Sequence, residues 1–333
     1  MVMAKKTILI TGCSSAAGAG AALAREFHQR GHRVYATARG DNAKAKLRFL
    51  TDLGIGVLEL DVTSPDSIAA AVGVVREATC CGGESKSDGH LDILINNASL
   101  FTLSPLSDVQ LASAREVFDT NVVGVLAVTQ AFLPLLMPNH YHRTPSTKNT
   151  GTPNSRGQQE LYGGGLVVNI ASIAAFMCPP WHGVYAASKA ALVALGHTMR
   201  LEFAPLGVRV VTVVAGGVGV AEGTTTTHPE TTTTQSPSRG LTAILPTDSY
   251  YQSLTRETDG NTPPLSNKQN YAPMPVDLFA KQVADDILKA STGIKAPRPL
   301  VWRGAFAWWA WVCTWFGWVG MLDGGTDPEE WVG

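Results

Sequence analysis

The chain has 333 residues, 45% hydrophobic and 16% charged, enough for one large α/β domain with a substantial core. A formal net charge of -1 gives no reason to expect a nucleic-acid partner. The cysteines Cys13, Cys80, Cys81, Cys178 and Cys313 show no metal-ligand spacing, so no metal is expected, and their odd number suits a reducing compartment. Cys80-Cys81 reads as two reduced thiols in a loop rather than a redox pair. A strand pattern starts close to the N-terminus and leaves no room for a signal peptide, so the domain is expected to face the cytosol.

Lys6 to Thr11 is a β-branched run, followed by a small-residue loop and a helix from Gly20 to Arg30 that Gly31 stops. His32 to Ala38 and Gly56 to Asp61 read as the second and third strands, and Ser64-Pro65-Asp66 opens a helix with a capping serine. Leu91 to Asn96 is a nearly continuous apolar run of the kind buried on both sheet faces. A long helix covers Leu111 to Met137. Two more buried strands, Leu166 to Ile170 and Arg209 to Val214, bracket a helix that carries Tyr185. Strands alternating with helices imply a parallel, doubly wound sheet with right-handed crossovers. Three polar segments break the rhythm: a loop over 82–90, a surface insertion over 138–165, and a Thr-rich stretch over 222–275 read as a substrate lid. The predicted division is a catalytic domain over 1–292 and a Trp-rich hydrophobic segment over 293–333.

Tyr185 and Lys189 lie four residues apart, on one face of their helix, and Ser172 precedes Tyr185 by thirteen residues. An ammonium beside a phenol favours the phenolate, and a serine hydroxyl from another element holds a carbonyl against it. That is a general acid with an orienting donor, as ketone reduction requires. Alone the spacing is weak evidence. The loop Thr11-Gly12-Cys13-Ser14-Ser15-Ala16-Ala17-Gly18-Ala19-Gly20 adds a place where backbone can approach a pyrophosphate at a helix N-terminus.

Thr11-Gly12 with Gly18 and Gly20, Asn96-Asn97-Ala98, Asn121, Ser172, Tyr185 and Lys189 occur in the order and spacing of the short-chain dehydrogenases/reductases. The resemblance covers residues 5 to 220 and implies a Rossmann-type fold binding a nicotinamide dinucleotide. It implies cofactor contacts from Gly12, Ser14, Ser15, Gly18, Gly20, Asn97, Ala98, Gly216 and Val218, with Asp61-Val62 at the adenine ring. Three departures stand out. Five residues separate Gly12 from Gly18, so the loop takes a wider path; Ala98 stands where the family has glycine; and Ala215-Gly216 replaces Pro-Gly. The second strand ends at Arg39 with no carboxylate before Asp41, and its fork of donors suits a 2′-phosphate, which points to NADP(H). The alternative is a solvated surface arginine.

By the same resemblance Tyr185 protonates the developing alkoxide, Ser172 orients the carbonyl, Lys189 lowers the Tyr185 pKa and binds ribose, and Asn121 holds a relaying water. The resemblance also implies a homo-oligomer through the helix after Asn121 and the Tyr185 helix. His182 reads as a satisfied loop histidine. Residues Gly304 to Leu322 carry no charge and hold five tryptophans, over a helical length of about 28 Å. Three readings of this stretch stand open: an interfacial anchor on a membrane or lipid-droplet surface, endoplasmic reticulum included; a flap or dimer element over an apolar site; and a transmembrane span, with Arg303 and Asp323 as snorkelling flanks. Thr-Gly-Cys-Ser-Ser, Ala-Thr-Ala-Arg and the Trp-rich tail resemble the fungal reductases related to 1-acyldihydroxyacetone-phosphate reductase. Within that group the Thr-rich lid favours a ketoreductase of secondary metabolism acting on an uncharged hydrophobic ketone or alcohol. Lipid synthesis is the alternative, and a binding or scaffolding protein that has lost turnover is an alternative of another kind.

Overall fold

The computed structural model describes residues 4–80, 89–138, 164–219, 249–251, 273–292 and 298–316. Most of the expected polar loop, surface insertion and lid lies outside the described residues. So does the tail beyond Phe316.

The chain builds the expected alternation: β1 (Thr7–Ile10), α1 (Ala19–Gln29), β2 (Arg33–Ala38), α2 (Ala43–Lys46), α3 (Arg48–Thr51), β3 (Gly56–Glu59), α4 (Pro65–Thr79) and β4 (Ile93–Asn96). The second half runs α5 (Leu111–Phe118), a π-helical turn (Asp119–Val123), α6 (Gly124–Leu136), β5 (Leu166–Ser172), α7 (Ala174–Met177), α8 (Gly183–Glu202), a 3-10 turn (Ala204–Leu206) and β6 (Arg209–Ala215). A short pair, β7 (Val218–Gly219) and β8 (Met274–Pro275), leads to α9 (Val276–Ser291), β9 (Leu300–Arg303) and α10 (Ala307–Phe316). Ser64 caps α4 as its position suggested, its Oγ accepting from the Ser67 N–H at 3.3 Å, with Pro65 in the first turn.

The main sheet has the order β3-β2-β1-β4-β5-β6-β9, and every neighbouring pair is parallel. This is the Rossmann-type doubly wound arrangement, reversing direction between β1 and β4, where open α/β sheets take their ligands. Strand side chains alternate between faces, and both faces are covered. Ile8, Ile10, Ile93 and Ile95 join one buried cluster with Leu23 and Phe27 of α1 and Phe279 and Val283 of α9. Leu9 and Leu94 join the opposite one with Val72, Phe132 and Met199.

Three expectations change. The helix expected over 111–137 is interrupted at Asp119–Val123, where a π turn takes in one residue more per turn and carries Asn121 into the interior, fully buried. The catalytic domain does not stop at 292: Leu300–Arg303 pairs with Thr212–Ala215 as the seventh strand. Arg303, expected as a snorkelling flank, donates from Nε to Asp286 Oδ2 on α9 at 2.7 Å. The apolar periodicity of the tail hid a strand because a short edge strand and the start of an apolar helix read alike.

Phe279 is completely buried between α1 and the sheet. Replacing Phe279 by Ala is expected to cost about 3–5 kcal/mol of unfolding free energy, read from urea titration. A loss below about 1 kcal/mol would show that α9 is not part of this core.

Candidate active site

β1, β4, β5 and β6 end on the same edge of the sheet, and each delivers residues to one crevice. At the end of β1 the loop is stitched to the end of β4. The Asn97 and Ala98 amides both donate to Thr11 Oγ1, at 3.0 and 2.9 Å, and Asn97 Nδ2 donates to the carbonyls of Thr11 and Gly12 at 2.9 and 3.0 Å. Gly12 has φ +73°, and a Cβ there would lie 2.6 Å from Ala98 Cα; one on Gly20 would meet Asn97 Nδ2 at 2.5 Å. The glycines are therefore needed for loop-to-loop contact, and Ala98 is accommodated because Gly12 yields the space. Asn96 turns the other way, donating to Thr129 and Asn169 in the core at 3.0 Å each.

The loop closes in a turn, with the Gly18 N–H donating to the Ser15 carbonyl at 2.9 Å. Ser14 is exposed and Ser15 half-buried, and Arg25 clasps the Ala16 carbonyl at 3.0 Å. Gly18 is the N-cap of α1 and supplies no side-chain cap, so the first-turn amides face the loop, as an anionic ligand requires. Cys13 points inward; burial pushes its thiol up to about 12 and makes it inert. These features fit a dinucleotide pyrophosphate. Arg39 is exposed at the end of β2 and forms no ion pair among the described residues, while Lys46 Nζ donates to its carbonyl at 2.9 Å. Val62 is buried under Gly124, and Asp61 accepts from the Thr63 amide and hydroxyl at 2.9 and 2.7 Å. Gly216 and Val218 follow β6, beside Ser172.

Ser172, Tyr185 and Lys189 gather where β5 meets α8. Ser172 ends β5, and its Oγ accepts from the Ala174 amide at 3.2 Å. Lys189 is 3% exposed; its Nζ donates to the Ile170 carbonyl at 3.0 Å and stands 5.7 Å from the centre of the Tyr185 ring. Burial depresses Lys189 to about 8. Burial pushes the Tyr185 phenol up, and a hydrogen bond with Ser172 pulls it back in part. The expected lowering by Lys189 is thus not the ruling effect here. The ammonium donates to the Ile170 carbonyl beside the ring, and desolvation is the larger effect on the phenol.

Asn121 is the buried brace of the site. Its Oδ1 accepts from the Leu100 amide at 2.8 Å and Ser99 Oγ at 3.0 Å; its Nδ2 donates to the Leu100 carbonyl at 2.9 Å and Ser188 Oγ at 3.0 Å. Ser188 in turn donates to the Tyr185 carbonyl at 2.7 Å. Both donors and both acceptor positions of the carboxamide are taken, so the expected relaying water is not held by this side chain. Ser188, between Tyr185 and Lys189 in sequence, links Asn121 to their helix.

An aromatic ring stands beside the phenol. Phe101 meets Tyr185 edge-on at 4.9 Å and His182 at 5.3 Å between ring centres. Trp181, held at φ +63°, packs on Tyr251 at 5.9 Å, and its carbonyl accepts from the Ser104 amide at 2.9 Å. The Nδ1–H of His182 donates to the Pro180 carbonyl at 2.8 Å, the satisfied loop histidine expected. Phe101, Trp181 and Tyr251 carry no motif, and only the fold brings them together.

Lys189 sets a pH test. Its folded value of about 8 lies below the ordinary 10.5, so the unfolded chain binds more protons between those two pH values. The cost of burying the ammonium is therefore present below about pH 8 and relieved as pH rises toward 10.5. Relative to Lys189→Met, the wild type should gain on the order of 3 kcal/mol across that window, read from denaturant unfolding at each pH. A pH-independent difference between the two would contradict the buried ammonium.

The chain's relatives agree with this geometry. A family model described as short chain dehydrogenase matches residues 6–144 and 158–231. The short-chain dehydrogenase cctT of Talaromyces islandicus is 38% identical over 286 residues, 85% of this chain and 82% of that one. The NADPH-dependent 1-acyldihydroxyacetone phosphate reductase of Schizosaccharomyces pombe is 35% identical over 215 residues, 65% of this chain and 60% of that one. The crystal structure of a short-chain dehydrogenase from Streptomyces avermitilis is similar in fold, with a TM-score of 0.62 at 20% identity and 96% of each chain covered. With that family match over most of its length, and with Ser172, Tyr185 and Lys189 gathered at the carboxyl edge of a parallel sheet, this chain belongs to the short-chain dehydrogenase/reductase family of oxidoreductases.

Proposed function

We propose that the protein is an NADPH-dependent carbonyl reductase that acts on an uncharged, hydrophobic ketone. The observation that carries the reading is the Ser172–Tyr185–Lys189 group placed one strand end away from a glycine loop and an uncapped helix N-terminus. The cofactor supplies the hydride when bound. Ser172 holds the carbonyl oxygen, and Tyr185 donates its proton to that oxygen as negative charge develops there. A phenol whose pKa is raised by burial stays protonated at neutral pH, which suits reduction. Lys189 donates one of its three N–H groups to the Ile170 carbonyl and would hold a ribose hydroxyl with another. Arg39 and the neighbouring Lys46 ammonium favour a 2′-phosphate at the end of β2, and the S. pombe relative is itself described as NADPH-dependent.

Phe101 sets an uncharged ring against the phenol, which supports an apolar substrate of specialised metabolism over a phosphorylated lipid precursor. The second reading, reduction of an acyl-dihydroxyacetone phosphate, is favoured by the relative of that name. NADPH oxidation against lipophilic ketones and against the acyl phosphate, repeated with NADH, tests both. Turnover of lipophilic ketones with NADPH is expected, and Tyr185→Phe should lower it at least ~100-fold while NADPH binding stays close to wild type. Activity confined to the phosphate ester would select the second reading. Undiminished turnover by Tyr185→Phe would sink the acid assignment.

The same reading sets the tail against a lipid surface. In α10, Trp308, Trp309 and Trp311 are 68%, 41% and 40% exposed, beside Phe306 at 52%, while Ala307 and Ala310 are buried toward the domain. Tryptophan rings favour the membrane–water interface, and a one-sided helix lies along it rather than across. The protein should therefore float with phosphatidylcholine vesicles, and Trp308→Ser with Trp309→Ser should lower the bound fraction several-fold. Equal flotation of both would remove the anchor.

A further inference from the structure

The run after β6 has little side chain of its own with which to fix its path: Gly216, Gly217 and Gly219 surround Val218. Such a run loses the most conformational freedom on ordering, so something outside it must hold it. It lies beside the reacting groups, because Ala215 is the register partner of Ser172 and its carbonyl accepts from the Ile173 amide at 2.9 Å.

The hold comes from the C-terminal end of the domain. The Gly216 amide donates to the Arg303 carbonyl at 2.7 Å, and Gly217 and Ala305 exchange amide-to-carbonyl bonds of 3.0 and 3.1 Å. The Met274 amide also donates to the Gly217 carbonyl, at 3.0 Å. The two backbones touch with no room for a side chain. A Cβ on Gly216 would come within 1.9 Å of the Ala305 oxygen, and one on Gly304 within 2.8 Å of the Gly216 nitrogen. Gly304 also has φ +100°, where a side chain is strained whatever the space. Arg303 is tied to α9 through Asp286, and the Trp302 ring packs on Phe176 of α7 at 4.9 Å. That short helix begins two residues after Ser172, so one turn of chain grips both sides of the Ser172 strand end.

We propose that the turn from Trp302 to Ala305 is a positioning element of the active site. It sets the Gly216–Val218 backbone and the Ser172 turn against the nicotinamide end of the cofactor, which makes the start of the apolar tail part of the catalytic machinery. The inference rests on the cofactor reading given above. It predicts an effect on one half of the ligand alone, since Gly12, Arg39 and Asp61 hold the other half on strands that this turn does not touch.

The test uses the full-length chain and two ligands, NADPH and adenosine 2′,5′-bisphosphate, which lacks the nicotinamide half. Calorimetric titration of Gly304→Ala should show NADPH bound at least tenfold more weakly and the bisphosphate within twofold of wild type. Arg303→Leu should shift NADPH affinity the same way, and Arg303→Lys, which keeps a charge for Asp286, should recover part of it. Wild-type NADPH affinity in Gly304→Ala, or equal loss for both ligands, would overturn the proposal. Should Gly304→Ala fail to fold, Arg303→Leu and Arg303→Lys carry the same comparison, and equal NADPH affinities in those two variants overturn it. A wild type that binds NADPH in no measurable amount instead removes the cofactor reading, and this inference with it.

Discussion

A parallel sheet buried on both faces leaves its reactive loops one outlet, the carboxyl edge of the strands, and the whole site depends on that constraint. β1 leads into Gly12, β4 into Asn97 and Ala98, β5 ends in Ser172 and β6 leads into Gly216, and register sets these ends side by side. Because each strand interior is apolar on both faces, a slip of register would put the loop residues into the core rather than the crevice. Several polar groups that enter the interior pair with one another. Thr11 with Asn97, Asn96 with Asn169 and Thr129, and Asn121 with Leu100 and Ser188 tie one strand end or helix to the next.

The electrostatics follow from the same burial. An ammonium driven inward loses hydration, so Lys189 is depressed while the neighbouring phenol rises. These opposite shifts keep Tyr185 a proton donor and leave Lys189 near its own titration at slightly alkaline pH. The carbonyl of Ile170 and the Tyr185 ring offset part of the ammonium's cost, the first by hydrogen bonding and the second through its negative face. Asn121 contributes no charge. Its value lies in rigidity, since the π turn that inserts it packs, with α5, against α8.

Much of this arrangement was legible before any coordinates. The apolar runs at Lys6–Thr11, Leu91–Asn96, Leu166–Ile170 and Arg209–Val214 mark strands because a strand covered on both faces must be apolar on both. The Tyr185 to Lys189 spacing is a local helical property and reads directly. The seventh strand was not legible, since Leu300–Arg303 adjoins an apolar stretch whose residues satisfy a helix equally well. Nor was the π turn, because the sequence around Asn121 keeps helical propensity on both sides and only packing decides where the extra residue goes. Ser188 was hidden by its position inside a recognised spacing, and Phe101, Trp181 and Tyr251 by lying far apart along the chain.

Sequence alone determined which groups stand together: a phenol and an ammonium on one helix face, and a loop of residues small enough to approach a phosphate. Those properties depend on residue type and on separations within one turn or one loop, where chain connectivity dictates distance. Tertiary structure alone decided the states of those groups and their surroundings. It raised the phenol instead of lowering it, closed the Asn121 carboxamide to a relaying water, set the Phe101 ring beside the phenol, and drew the start of the tail into the sheet. Each of these turns on desolvation or on contact between segments distant in sequence, and neither quantity is written in local spacing.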